Sequence, residues 1–165
     1  INTAIIGGLA DQDSYDEAVH LMTSLNKYAK EAIENMGGLN SVTDITGFGL
    51  VGHAQEMAAG SGTTIKIKSD QVPLIKNTRE YGEMGLVPAG AYTNKDYFGP
   101  YVQKKDHIET VIEDILYDPQ TSGGLLISVA RDQSGKLLEN LEKIPTKCAI
   151  IGEVVKRGDH HIIIE

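Results

Sequence analysis

Apolar residues in this chain switch repeatedly between the spacing of a helix and that of a strand. From Asp11 to Met36 they recur every three or four residues, which predicts one long amphipathic helix ended by Gly37-Gly38. Thr63 to Lys68 instead alternates polar and apolar residues, as a half-buried strand does. Because helical and extended segments are mixed throughout the 165 residues, we expect an α+β fold with a sheet covered by helices.

The remaining elements follow from the same spacing. Further helices are predicted at residues 47–59, 74–84, 107–117 and 136–144. Gly124 to Val129 is apolar enough for a central strand, and Cys148 to Val155 with His160 to Ile164 predicts a hairpin that turns at Arg157-Gly158-Asp159. Leu86 to Asp106 has no clean period, so we expect a mobile loop that makes partner contacts. No interior linker divides the chain, which predicts a single domain over residues 1–165.

Charge and composition exclude several classes of function. With 15 Lys and Arg against 23 Asp and Glu the formal net charge is -8, which repels nucleic-acid backbones and anionic membranes, so we expect neither as a partner. No apolar run reaches the ~20 residues of a membrane span, and we expect a cytoplasmic protein. Cys148 is the only cysteine, which excludes a disulfide within the chain and favours a small buried side chain.

The segment from Thr43 to His53 places a strand end, a carboxylate and a helix start within eleven residues. Thr46 is positioned to cap the helix, and the first amides, those of Gly47, Phe48 and Gly49, would point out of its positive end towards a phosphate. Asp44 would repel a bare phosphate, so the pair suits a site in which Mg²⁺ bridges the two. The alternative is that Asp44 and Thr46 only cap the helix and the glycines only pack.

A second alternative comes from the same glycines. Gly47-Phe48-Gly49-Leu50-Val51-Gly52 matches the dinucleotide-binding pattern of a parallel βαβ unit. The preceding strand is polar, the helix is short, and Asp44 would repel the pyrophosphate, so this is the less favoured interpretation.

In a second segment, Asp118 to Leu126, two hydroxyl residues and two glycines lead into an apolar strand. Thr121, Ser122 and Gly123 form a turn of the kind that brings backbone amides close to a ligand, although structural turns have the same composition. Neither segment contains the Gly-Lys-Ser/Thr of a P-loop. Spacing alone nominates no catalytic set, and His53, like the other helical histidines, is expected to be a helix residue and not a ligand.

These two segments, in this order, closely resemble the C-terminal half of the selenophosphate synthetases. Val87-Pro88-Ala89-Gly90 with Asn94 resembles a proline-glycine loop and asparagine of that family, and the opening Ile1-Asn2-Thr3-Ala4-Ile5 resembles the segment just beyond its N-terminal domain. More broadly, the chain is similar to the aminoimidazole ribonucleotide synthetase superfamily. The resemblance implies a C-terminal three-layer α+β domain with a mixed β-sheet covered by helices, and an ATP-binding N-terminal domain outside this chain.

The resemblance also implies a reaction: ATP, selenide and water give selenophosphate, AMP and phosphate, with Mg²⁺ as cofactor. Asp44 would be the metal-binding carboxylate of this domain. The residues implied to face the ATP site are Thr46, Gly47, Phe48, Gly49, Thr121, Ser122 and Gly123. The nucleophile, Cys or Sec, would lie in the N-terminal domain, so no catalytic residue is expected here and the isolated domain should be inactive. The absence of an initiator Met at Ile1 agrees with a fragment, and we expect a homodimer.

Two other functions stay open at this point. The domain could belong to another ATP-dependent enzyme of the superfamily that acts on a different nucleophile, which the Asp118 to Leu126 segment disfavours. It could also be an interaction or dimerisation module without chemistry of its own.

Overall fold

The structure, a computed structural model, describes residues 1–34 and 36–165. The helices of that part of the chain are α1 (Asn2–Ile6), α2 (Gln12–Thr23), α3 (Lys27–Ile33), α4 (Gly49–Ser61), α5 (Thr78–Glu83), α6 (Ala89–Phe98), α7 (Thr110–Leu116) and α8 (Ser134–Leu141). The strands are β1 (Leu39–Asp44), β2 (Thr63–Ile67), β3 (Val102–Lys104), β4 (Leu125–Val129), β5 (Gly152–Lys156) and β6 (Ile162–Ile164). The predicted mixture of helices and strands is therefore confirmed.

The strands form two sheets. Four of them make a mixed sheet in the order β3-β6-β2-β5, in which β6 runs parallel to both β3 and β2 while β5 runs antiparallel to β2. The other two, β1 and β4, make an antiparallel pair. Helices pack on both sheets, so the fold has the helical cover that the sequence pattern predicts and the mixed sheet that the family resemblance implies.

The larger core lies between α4 and the four-stranded sheet. Ile67, Ile162 and Ile164 point from the two inner strands towards Val51 and Ala54 on α4, and none of the five is more than 1% exposed. Burial of a valine or isoleucine side chain stabilises a fold by roughly 1.5–3 kcal/mol. Because α4 is anchored by this core, its first turn is held in a fixed place.

A smaller core joins α3 and α8 to the β1–β4 pair. Ala29 and Ile33 of α3 pack with Leu137 and Leu141 of α8, and partly buried residues of β4 lie against them. The pair therefore has one face against helices, and its ends lead directly into the segments at residues 43–53 and 118–126.

The long helix predicted from residue 11 to 36 is wrong, because it is two helices, α2 and α3. At the break, Ser24 is extended with ψ of 123°, and its hydroxyl donates to the carbonyl oxygen of His20 at 2.7 Å. Side-chain hydroxyls that take up helix carbonyls compete with continuation of the helix. The next residues turn back towards the β1–β4 pair, where the Asn26 side chain donates to the Gly123 carbonyl at 3.0 Å. Asn35, within the predicted helix, lies outside the described residues.

The loop predicted between Leu86 and Asp106 is also wrong. This range holds α6 and β3, and Ala91, Asn94 and Phe98 are buried at helical spacing. The buried face consists of one small, one polar and one aromatic residue, so it lacks the apolar stripe by which an amphipathic helix is recognised. A helix and a strand are therefore found where a loop was expected, and the mobility of this segment stays a prediction.

Two strand assignments need correction as well. The C-terminal strands β5 and β6 do not pair as a hairpin, because β2 lies between them and bonds to both. Among the described residues β4 pairs with β1 alone, so it is not a central strand. The helices predicted at 47–59, 74–84, 107–117 and 136–144 are present as α4, α5, α7 and α8 with shifted ends.

Candidate nucleotide site

The two predicted segments meet at one end of the β1–β4 pair. Asp44 at the end of β1 lies opposite Leu125 at the start of β4. Beyond the strands the contact continues: the Ile45 amide donates to the Gly124 carbonyl at 2.9 Å, and the Gln120 amide donates to the Thr46 carbonyl at 3.0 Å. The structure therefore brings together two stretches more than 70 residues apart in sequence and joins their backbones.

Gly123 is needed for this close approach. A Cβ at this position would lie 2.3 Å from the carbonyl oxygen of Ile45, which is far inside contact distance. Next to it, Ser122 has a positive φ of 50°, unusual for a residue other than glycine. A Cβ at the neighbouring Gly124 would meet nothing within 4 Å, so the steric constraint belongs to one glycine of the pair.

The helix after the first segment begins two residues later than predicted, at Gly49. Gly49 has φ of +70°, and a Cβ there would lie 2.8 Å from the carbonyl carbon of Tyr117, just before the second segment. Its amide is already used, since it donates to the Thr46 carbonyl at 3.1 Å. The prediction that the Gly49 amide points freely at a ligand is therefore wrong, whereas Gly47 and Phe48 are exposed in the turn before the helix.

Thr46 does not cap the helix with its side chain, because α4 has no side-chain cap among the described residues. Its Oγ1 lies instead 3.1 Å from Nε2 of His53, one turn into the helix. Nδ1 of the same ring lies 3.2 Å from a carboxylate oxygen of Glu56. His53 was expected to be an ordinary helix residue, and no local sequence signal indicated its contact with Thr46.

The third glycine of the pattern, Gly52, makes room for aromatic rings. A Cβ there would lie 2.6 Å from Cβ of Phe48 and 2.7 Å from the ring of Phe98. The dinucleotide-binding alternative is contradicted by the topology: β1 is paired antiparallel to β4, and β2, which follows α4, lies in the other sheet. A parallel βαβ unit is absent from this part of the chain, and the glycines serve close packing instead.

Asn94 connects the two site segments through its side chain. This side chain is buried, and its amide nitrogen donates to the carbonyl of Gly47 at 2.9 Å and to that of Tyr117 at 3.0 Å. One residue of α6 thus holds both segments, one by each hydrogen bond. In the sequence, Asn94 stands out only through the family resemblance, and no local signal indicates this bridging role.

Asp44 is the exposed carboxylate at this site, next to the turn that carries Gly47 and Phe48. The described residues contain no group of three or more His, Cys, Asp or Glu side chains that could hold a metal. A lone carboxylate still fits Mg²⁺, which commonly takes one or two carboxylates and completes its shell with waters and substrate phosphates.

At the start of the second segment, burial raises the pKa of the Asp118 carboxyl above its ordinary value.

Cys148 packs beside the smaller core. Burial raises the pKa of its thiol, which lowers the fraction of reactive thiolate.

None of the helices in the described ranges has the length and apolar character needed to cross a bilayer.

Comparison with known families places the chain in one of them. The family model described as "AIR synthase related protein, C-terminal domain" matches residues 3–165. The chain belongs to this family. Both site segments lie within the matched range, together with α6 and its buried Asn94.

Curated relatives narrow the comparison. Proteins named selenide, water dikinase from Clostridioides difficile (strain 630) and Caldanaerobacter subterraneus are 44% and 45% identical over 165 residues, in each case 99% of this chain. The chain spans only 47% of the length of either relative, and it matches their C-terminal part. A third, from Clostridium botulinum (strain Eklund 17B / Type B), is 41% identical over the whole chain.

Solved structures confirm the fold. Escherichia coli HypE, a hydrogenase maturation protein, matches 82% of this chain and 34% of its own at a TM-score of 0.53 and 20% identity. A HypE structure in complex with ATP matches 86% of this chain and 36% of its own at a TM-score of 0.55 and 17% identity. Thiamine monophosphate kinase from Aquifex aeolicus matches 98% of this chain and 44% of its own at a TM-score of 0.51 and 18% identity. The α+β fold expected from the resemblance is thereby confirmed.

Proposed function

We propose that this chain is the C-terminal part of a selenide, water dikinase. The complete enzyme would convert ATP, selenide and water into selenophosphate, AMP and phosphate. In this proposal the nucleotide is held mainly by an N-terminal ATP-binding part, and the present domain closes over its phosphates. The domain alone would then be inactive.

One observation carries the proposal: two distant segments are joined at the end of the β1–β4 pair by the Ile45–Gly124 and Gln120–Thr46 hydrogen bonds. The joined segments present an exposed carboxylate beside exposed backbone, in a chain that is 41–45% identical over its length to proteins named selenide, water dikinase. The buried Asn94 and the sterically restricted Gly123 hold the two segments in place.

Within the site, Asp44 would be the ligand that this domain offers to Mg²⁺. When bound, the metal neutralises phosphate oxygens, which lets an acidic domain of net charge -8 approach a polyanion. The amides of Gly47 and Phe48 and the Thr121 to Gly123 turn would contact the phosphates from either side. Gly49 would contribute by shaping the turn, since its amide is already bonded to Thr46.

The contact surface for the N-terminal part is proposed to include the outer face of α6 and the turn after it. Tyr92, Tyr97 and Tyr101 are 49%, 72% and 44% exposed there, on the element whose buried face holds the site. Aromatic residues of this kind are enriched where proteins contact each other.

A homodimer of the complete protein stays a prediction, to be checked by light scattering over a range of concentrations.

The test is phosphorus NMR on the chain joined to the N-terminal part that its relatives carry, incubated anaerobically with Mg-ATP. Selenide-dependent formation of selenophosphate with AMP is the expected result. ATP consumption that is indifferent to selenide would point to another enzyme of the superfamily. No ATP consumption with an intact fold would favour an interaction module.

A further inference from the structure

A chain of three polar side chains leads from the first site segment to the solvent-exposed side of α4. It begins at the Thr46 hydroxyl, continues through the His53 imidazole at 3.1 Å, and ends at the Glu56 carboxylate, 3.2 Å from the ring. His53 is only 11% exposed, whereas Glu56 is 53% exposed. The imidazole is therefore enclosed between a hydroxyl at the site and a carboxylate at the surface.

The chemistry of these groups fixes the direction of the hydrogen bonds. A carboxylate only accepts, so the proton of the His53 ring belongs on Nδ1, facing Glu56. In the neutral ring Nε2 is then an acceptor, and the Thr46 hydroxyl donates to it. A hydroxyl committed to the imidazole has no proton left for a phosphate oxygen, so Thr46 acts here as an anchor for its turn.

The turn at residues 46–48 is held by several contacts. The Thr46 carbonyl accepts from the amides of Gly49 and Gln120, while its side chain is held by His53. The Phe48 ring packs against the His53 ring, with centroids 5.3 Å apart. Within the described residues no backbone acceptor is found for the amides of Gly47 and Phe48, so these are the donors that the held turn leaves for an anion.

We propose that His53 is a positioning residue, which with Glu56 holds the Thr46 hydroxyl so that the Gly47 and Phe48 amides face the phosphates. This inference rests on the proposed function for its ligand, and on the Thr46–His53–Glu56 geometry for its mechanism. Residues that act on a site through another residue commonly change activity by about 10- to 100-fold when they are lost.

The variants separate the hydrogen bond from the bulk of the ring. In the two-domain protein, His53→Leu removes the acceptor, whereas His53→Gln retains an oxygen that accepts from Thr46. The expected result is a kcat about 10- to 100-fold lower for His53→Leu, a smaller change in KM for ATP, and recovery of most of the loss in His53→Gln. The control is His107→Leu, an exposed histidine before α7, for which no change is expected.

Coupling with Thr46 distinguishes positioning from general destabilisation. Thr46→Val removes the hydroxyl at similar size, so the losses caused by Thr46→Val and His53→Leu should be strongly non-additive in the double variant. Equal losses in His53→Leu and His53→Gln, or additive losses in the double variant, would overturn the proposal.

Two NMR measurements test the role of His53 without turnover, and so independently of the proposed function. Nitrogen-15 NMR of the His53 ring should find the proton on Nδ1, and His53→Leu should speed exchange of the Gly49 and Gln120 amides, which donate to the Thr46 carbonyl. A proton on Nε2 alone, or unchanged exchange, would overturn the positioning role. If the two-domain protein makes no selenophosphate, the function fails, and this NMR result alone decides the role of His53.

Discussion

The four-stranded sheet and the β1–β4 pair are stabilised in different ways. In the sheet, Ile162 and Ile164 are fully buried, and side-chain burial holds the strands against α4. At the end of the β1–β4 pair, backbone meets backbone, because Gly123 lies where a Cβ would collide with Ile45. Substitutions in the sheet should therefore change stability, while substitutions at the end of the β1–β4 pair should change the site.

The largest effect on turnover is expected for Asp44→Asn in the two-domain protein. The carboxylate is exposed, so its removal should leave the free energy of unfolding almost unchanged. Loss of one electrostatic group at a phosphoryl-transfer site typically lowers kcat by about 10²- to 10³-fold. Initial rates of AMP formation measure this, with Asp106→Asn at an exposed position as the control. Wild-type rates in Asp44→Asn would remove the metal role from this residue.

The opposite pattern is expected for Ile162→Ala in the sheet. Truncating a fully buried isoleucine should lower the free energy of unfolding by about 2–5 kcal/mol. Ile163→Ala, at the less buried neighbour on the same strand, should cost clearly less. Urea unfolding followed by circular dichroism measures both. A loss of turnover per folded molecule in Ile162→Ala would break the division between sheet and site.

A smaller effect on stability is expected where the two backbones meet. Gly123→Ala places a methyl group against the Ile45 carbonyl. It should lower the free energy of unfolding by about 1–3 kcal/mol, and it should also lower turnover. Gly124→Ala is the matched control, because a Cβ there meets nothing within 4 Å. Thermal unfolding and AMP formation are measured for both variants. Similar behaviour of the two would show that the close contact does not shape the site.

The smallest effect is expected outside the two site segments, at the start of α2. Hydrogen bonds from Ser14, Tyr81 and Asn77 hold the pKa of Asp11 well below its usual range. A depressed folded-state pKa gives stability that is present above the unfolded pKa of about 4 and is lost as the pH falls through the lower, folded value.

Asp11→Asn should therefore flatten the loss of stability below about pH 4, because the variant has no carboxyl to protonate there. Thermal melts from neutral to acidic pH measure this, with Asp106→Asn as a control that should keep the wild-type slope. An unchanged slope in Asp11→Asn would mean that these hydrogen bonds do not persist in solution.

The sequence predicted the components of the site better than their connections. The strand end at Asp44, the turn at Gly47 and the second turn at Gly123 all lie at ends of β1, α4 and β4, as spacing and turn composition indicated. Their meeting place required pairing of β1 with β4 across more than 70 residues, which local periodicity does not encode. The roles of His53 and Asn94 depend on contacts formed only after that pairing.

The missed elements have a common physical reason, which is that tertiary contacts replaced local signals. The buried face of α6 relies on Asn94, whose polar side chain is satisfied by the carbonyls of Gly47 and Tyr117. In the same way, β2 lies between β5 and β6, so two strands that are adjacent in sequence never pair. The unbroken apolar run Ile162-Ile163-Ile164 was the available sign of an inner strand.

If the two joined segments receive the phosphates of one nucleotide, hydrogen–deuterium exchange in the two-domain protein should show it. On addition of Mg-ATP, the amides of Gly47 and Phe48 and those of residues 121–123 should become protected together. The exposed turn at residues 157–159 should be unaffected and serves as the internal control. Protection of only one segment, or of neither while ATP is bound, would show that the two segments do not share the phosphates.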